Sequence, residues 1–292
     1  MANWEKLREE EFVPMLERTH RVCAIAIGCL EKHGQHLPLG TDTLKGDGIL
    51  NRASEMEEVC VFPPLFLGDL QGQQACKAGQ GVHYGYVALS QELLMRMLQE
   101  LCDEIGRNGF TKILLVNSHG GNNSWLQNFV RAVKSKKRDY EVFLYYGGLT
   151  KPDKILAAIS ERGRESFPTL TDEDIAVLED WVNNGGFDGH AGFGESAMVM
   201  GCYPELVRLD RCEAESGLNR HISDPLSEAG LKWGRAWHVN FPNAYAGTAP
   251  TGLNQRIADV TVQLSAEKLA NALKLLKDDE TMDRIISSAY HA

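Results

Sequence analysis

Apolar positions along the chain fall into short continuous runs separated by stripes of helical period. Residues 22–27 read Val-Cys-Ala-Ile-Ala-Ile and end at Gly28, the pattern of a strand buried on both faces. A polar loop is expected to follow and to run through Asp42. Cys60, Val61 and Phe62 read as a second short strand, expected to stop where Pro63 and Pro64 remove backbone donors. Leu93, Leu94, Met97, Leu98, Leu101 and Ile105 repeat with helical period, with Ser90 as N-cap and Gly106 near the stop. Residues 112–116 give another buried strand, 117–122 the turn at its carboxyl end, 125–133 a helix and 141–146 a further strand.

Strand, helix, strand, helix, strand at this spacing predicts βαβ units and hence an α/β fold with a mainly parallel sheet flanked by helices. In such sheets ligand groups gather in loops beyond the carboxyl ends of the strands, where the polar clusters after Ile27 and after Val116 both lie. Residues 151–188 are charged and helical in character, with a stripe at Ile175, Leu178 and Trp181, and read as a helical lobe over the sheet. Another helix is expected to begin near Gly194 and to carry Met198 and Met200. Residues 241–254 read as an extended loop and 266–277 as a closing helix, so that 241–292 forms a C-terminal loop and helix of a single domain spanning 1–292.

The net charge of −10, from 40 acidic and 30 basic residues, argues against nucleic acid and suits a small polar substrate. The seven cysteines (Cys23, Cys29, Cys60, Cys76, Cys102, Cys202, Cys212) are widely spread and never form a CxxC pair, so neither a disulfide framework nor a thiolate zinc site is expected. No basic-then-apolar leader pattern or membrane-length apolar run is present in the sequence. The expectation is a soluble, cytoplasmic protein with no membrane partner.

Between Gly28 and Asp42 the loop concentrates Glu31, His33, His36 and Asp42. Glu31 and His33, two apart in an extended segment, point the same way, so an oxygen and a nitrogen donor can converge on one centre. Asp42 returns after a turn marked by Gly and Pro, and its two oxygens can bridge neighbouring ions. Zinc or manganese accepts such a mixed set, and iron is a further candidate. His119 lies in Asn117-Ser118-His119-Gly120-Gly121-Asn122, where the glycines permit close backbone approach to a ligand, and Gly120 is a candidate substrate contact. His36 is assigned a supporting role, hydrogen-bonded to a ligand carboxylate. Cys29, beside the first cluster, is not expected to be a ligand. Trp181, Trp233 and Trp237 are expected in the core or at a subunit interface.

Three motifs in order carry a family resemblance. Residues 31–42 (Glu-x-His-Gly-x-His-Leu-Pro-Leu-Gly-Thr-Asp), 117–122 (Asn-x-His-Gly-Gly-Asn) and His190-Ala191-Gly192 with Glu195 resemble the creatininase, or creatinine amidohydrolase, family over roughly residues 20 to 205. The resemblance implies a layered, creatininase-like α/β fold, a homo-oligomer that is often hexameric, and two divalent ions. By motif position Glu31, Asp42 and His119 would hold one ion and His33 and Asp42 the other, with Asp42 bridging. Members that cleave creatinine carry a Glu where this chain has Gly121, which makes Glu195 the replacement ligand. His190 occupies the family's catalytic His position, and His83 and Tyr84 lie in a loop where members place substrate contacts. The third motif commonly reads His-Ala-Gly-Glu-x-Glu-Thr-Ser. Here Phe193 replaces an acid expected near the pocket and Ala197 a hydroxyl, which argues against creatinine as substrate.

The activity expected is metal-dependent hydrolysis of a cyclic amide or formamide C–N bond, with hydroxide held between the ions as nucleophile and His190 as proton shuttle. Hydrolytic C–C ring opening of a cyclic polyol diketone is the alternative. A non-catalytic metal-stabilised binding protein is the third reading.

Overall fold

The computed structural model describes residues 2–70, 77, 83–148 and 150–290 of the chain; Cys76 lies outside them. Five strands form one parallel sheet in the order β1 (Ala2–Asn3), β3 (Cys60–Leu65), β2 (Val22–Ile27), β4 (Lys112–Asn117), β5 (Glu141–Tyr146). The α/β architecture with a parallel sheet is as the sequence pattern predicts.

The continuous apolar run of β2 has a direct cause, because alternate side chains feed two different cores. Cys23, Ile25 and Ile27 pack with Met15 and Leu16 of α1 (Glu9–Arg18), with Leu94 and Leu98 of α3 (Gln91–Arg107), and with Trp125 and Phe129 of α4 (Asn123–Ala132). Val22, Ala24 and Ala26 pack with Leu50 and Ala53 of α2 (Thr41–Met56) and with Leu269 and Leu273 of α10 (Gln255–Lys277). A third cluster joins α5 (Pro152–Arg162), α6 (Asp172–Asn183), α7 (Phe193–Cys202) and α10 through Ile155, Leu178, Phe193 and Ile257. Short helices α8 (Asp224–Glu228) and α9 (Ala236–Asn240) lie in the segment before α10, and α11 (Asp279–Tyr290) follows it. Among the described residues no helix is long and apolar enough to cross a membrane, and six cysteines are free thiols.

Two expectations are corrected. β3 does not stop at Pro63 but continues through both prolines to Leu65. It pairs with β1 only at Cys60 and Val61, and its pairing with β2 shifts register after Phe62, so the missing donors fall on an open edge or an irregularity. Asp42 is not the end of a loop but the second residue of α2.

The connections place the site. From β2 the chain passes through α2 to β3 on one side, then through α3 back to β4 on the other side of β2. The loops leaving adjacent strands β2 and β4 therefore diverge and open a crevice at their carboxyl ends. Asn122 ties this rim together: its side chain accepts from Asp69 N (3.0 Å) and Trp125 Nε1 (2.9 Å) and donates to Ile27 O (3.3 Å).

Candidate metal centre

Four segments meet in the crevice. The loop after β2 brings Cys29, Glu31 and His33, the first turn of α2 brings Asp42 and Lys45, the turn after β4 brings His119, and α7 with its preceding loop brings His190 and Glu195. Glu31, His33, Asp42, His119 and Glu195 are all buried. Their donor atoms form two sets that meet at Asp42. His119 Nδ1 lies 3.1 Å from Glu31 Oε1 and 3.0 Å from Asp42 Oδ2, whereas His33 Nε2 lies 3.5 Å from both Asp42 Oδ2 and Glu195 Oε2.

These separations fit a cation. Ligands about 2.1 Å from a tetrahedral ion lie about 3.4 Å from one another. Glu31 Oε1 and His33 Nε2 are moreover buried polar atoms without a hydrogen-bond partner, both facing the cluster. A buried orphan polar atom is costly unless something coordinates it, and two in one cluster mark a place for an ion.

The imidazoles are oriented by backbone carbonyls. His119 Nε2–H donates to Asp69 O (2.9 Å), which leaves the Nδ1 lone pair toward Glu31 and Asp42; His33 Nδ1–H donates to Glu31 O (3.2 Å), which leaves Nε2 toward Asp42 and Glu195. Burial opposes charge on both rings, but the Asp42 carboxylate charge holds the His33 pKa above the ordinary value, and Glu31 does the same more strongly for His119. Burial alone would raise the Glu31 carboxyl, yet His119 and His190 hold it at about 2. Asp42 is likewise held well below the usual carboxylate range, chiefly by Lys45, against its burial.

Glu195 sits in the first turn of α7, where the helix dipole favours a carboxylate. Its Oε2 accepts from Ala191 N at 2.7 Å. Ala191 adopts a left-handed backbone (φ 59°), a conformation costly for a residue with a Cβ. His36 stabilises this turn: its Nε2 lies 3.1 Å from Ala191 O and 3.0 Å from Ser196 Oγ. His36 therefore supports the site as expected of a non-ligand, though through the turn that aims Ala191 N–H at Glu195 and not by a hydrogen bond to a ligand carboxylate.

His190 Nε2–H donates to Lys32 O (2.7 Å), leaving Nδ1 3.6 Å from Glu31 Oε1. The ring stacks on His33 at 3.9 Å and meets Trp237 edge-on at 5.1 Å. Burial, reinforced by His33, lowers its pKa. A cavity of about 610 Å³ opens over the cluster and is lined by Glu31, His119, Gly120, His190, Trp237 and His238 among others. Trp237, expected in a core or interface, is therefore a cavity wall, while Trp181 packs edge-on against Phe193 and Trp233 is exposed.

Other expected residues fall elsewhere. Phe193 is fully buried in the cluster beneath α7, not at the cavity, and Ala197 lies in the same cluster. His83 Nε2 donates to Pro242 O (3.0 Å), Tyr84 is largely exposed, and neither lines the cavity. Tyr86 comes nearer: burial and the Glu31 charge raise its phenol pKa. Cys29 does enter the cluster, with Sγ 3.1 Å from Asp42 Oδ2 as an S–H donor, and burial, then Asp42, pushes its thiol pKa up. The most consequential residue missed is Lys45, 3% exposed and ion-paired to Asp42 and Glu195. Recognition of the helix would have found it, since positions i and i+3 share a face. A Cβ at Gly121 would lie 2.5 Å from Asp69 O and also collide with His119 Nε2, so this backbone has no room for the glutamate of creatinine-cleaving members.

Comparison with known proteins places the chain in a family. The family model described as creatinine amidohydrolase matches residues 5–273. A creatinine amidohydrolase of Pseudomonas putida is 27% identical over 194 residues, 65% of this chain and 67% of that protein. A mycofactocin precursor peptide peptidase of Mycobacterium ulcerans (strain Agy99) is 26% identical over 202 residues, 65% of this chain and 62% of that protein. A crystal structure of creatinine amidohydrolase superposes with a TM-score of 0.67 at 18% identity, covering 95% of this chain and 98% of that one. A mutant creatininase of zinc-zinc type gives 0.65 at 18% identity, covering 95% and 99%. The chain belongs to the creatininase family, as a divergent member.

Proposed function

We propose that the chain is a metal-dependent hydrolase that cleaves the C–N bond of a cyclic amide or formamide in a small polar substrate. The observation that carries this reading is the buried donor cluster with its two orphaned atoms, opening onto a cavity that also contains His190. Both named relatives act, by their names, on amide-type substrates, one on creatinine and one on a precursor peptide. Glu31, Asp42 and His119, which converge with Cys29, would hold one ion and His33, Asp42 and Glu195 the other, while Glu31, His33 and His190 form a third group of converging donors. Zinc or manganese suits these donors. When bound, such an ion acidifies water and polarises a carbonyl oxygen.

The chain's own groups supply the rest. With Nε2–H committed to Lys32 O, His190 holds Nδ1 free to take a proton in the cavity and return it to the leaving nitrogen. Its lowered pKa keeps it neutral, and so ready to accept, at neutral pH. Trp237 packs against its edge and restricts the ring. The cavity volume is that of a small-molecule site. We further propose a homo-oligomer, a hexamer by family resemblance, supported by the exposed Leu218, Ile222, Leu231 and Trp233 in one stretch of chain.

The test is a hydrolysis screen over cyclic amides, formamides and oxidised inositols with metal-reconstituted protein. His190→Asn should leave metal content unchanged and lower turnover about 10²–10⁴-fold. Turnover of the diketones alone would transfer the proposal to C–C cleavage. Full metal content with no turnover of any class would leave a binding protein.

A further inference from the structure

Lys45 is the one lysine among the described residues placed within the donor cluster, and its position is that of a cation. It rises from α2 three residues after Asp42, on the same face, and is 3% exposed. Its ammonium lies 2.6 Å from Asp42 Oδ1 and is ion-paired with Glu195 Oε1. Each carboxylate thus has its other oxygen toward imidazole: Asp42 Oδ2 faces His33 and His119, and Glu195 Oε2 faces His33. The ammonium thus pairs with both carboxylates that would hold the second ion, through the oxygens that do not face His33.

Charge counting points the same way. The cluster contains three buried carboxylates, Glu31, Asp42 and Glu195, and one ammonium. With the imidazoles as neutral ligands the sum is −2, which one divalent ion neutralises. A second would bring an excess of buried positive charge unless the ammonium withdrew, and uncompensated buried charge is strongly unfavourable.

Building on the metal-hydrolase reading above, we propose that Lys45 is a built-in cation that supplies, beside Asp42 and Glu195, the positive charge a second metal ion would bring. The protein then holds one divalent ion tightly, at Glu31, Asp42 and His119, and admits a second at His33, Asp42 and Glu195 only weakly, against the charge of the buried ammonium.

The experiment is titration of chelator-stripped full-length protein with Zn²⁺ and with Mn²⁺, with stoichiometry and stepwise affinity measured calorimetrically. Wild type should bind one ion tightly and a second at least about 100-fold more weakly, since the second must enter beside a buried ammonium of like charge. Lys45→Met should tighten the second site about 10-fold or more and the first, which shares Asp42, by less. Two ions bound to wild type with similar affinity, or a second site unaltered in Lys45→Met, would overturn the inference while leaving the hydrolase reading intact. Failure of wild type to bind any ion would remove both. Should Lys45→Met fail to fold, anomalous scattering from wild-type crystals soaked in Mn²⁺ decides: one peak beside His119 supports the proposal and two equal peaks refute it.

Discussion

Gly121→Ala adds a single methyl and should weaken metal binding more than its size suggests. The new Cβ would lie 2.5 Å from Asp69 O and collide with His119 Nε2, the two atoms joined by the 2.9 Å hydrogen bond that orients the His119 ring. The methyl can be accommodated only by separating them, so the ring loses the partner that keeps Nδ1 toward Glu31 and Asp42. Loss of such an orienting partner lowers metal affinity about 10–100-fold, or about 1.4–2.7 kcal/mol. Overpacking at the turn should cost a further 1–3 kcal/mol or so of stability. Gly120→Ala is the matched control, because a Cβ there meets nothing within 4 Å. Neither glycine is in the left-handed region, so backbone strain does not confuse the comparison. The assay is competition of each variant with a chromophoric chelator for Zn²⁺, alongside thermal melting. Gly121→Ala binding zinc as tightly as Gly120→Ala and wild type would refute the role given to the Asp69 carbonyl.

Asp188 is 5% exposed, and burial raises its pKa from 3.8 to about 7 although Gly194 N–H donates to it. A raised carboxyl pKa leaves folding unaffected below the unfolded value, then costs stability progressively from about pH 4 to pH 7 and fully above it, by up to about 4 kcal/mol. In metal-free protein, Asp188→Asn should therefore match wild type in urea denaturation near pH 4 and exceed it at pH 8; equal or lower stability at pH 8 would be the adverse result. Leu269, fully buried between α10 and the sheet, should cost about 2–5 kcal/mol when cut to Ala, and a loss under about 1 kcal/mol in the same assay would contradict the second core.

The strands that feed two cores were legible because residues 22–27 and 112–116 have no polar face to disguise. Glu31, His33, Asp42, His119 and Glu195 were legible because their motif order carries the family, and the structure brings all five into one buried cluster. Helix α2 was not, since its buried face holds Thr41, Asp42, Lys45, Gly46 and Gly48, which break the apolar period that marks a helix. Lys45 was hidden by the same fact: a lysine in a polar stretch reads as solvated until its helix turns it inward. Trp237 and the Asp69 carbonyl reach the site only through tertiary packing, 118 residues apart from His119 in one case and through the backbone in the other.

Asp42 joins the two halves of the metal centre, its Oδ2 lying within reach of both imidazoles. The decisive measurement is the thermal shift of chelator-stripped protein as Zn²⁺ or Mn²⁺ is added, for wild type and for Asp42→Asn. Wild type should be stabilised saturably, by about 2.7 kcal/mol at a hundredfold excess over Kd, and Asp42→Asn should lose most of that response. An identical response in both proteins, or none in wild type at any concentration, would contradict the metal centre.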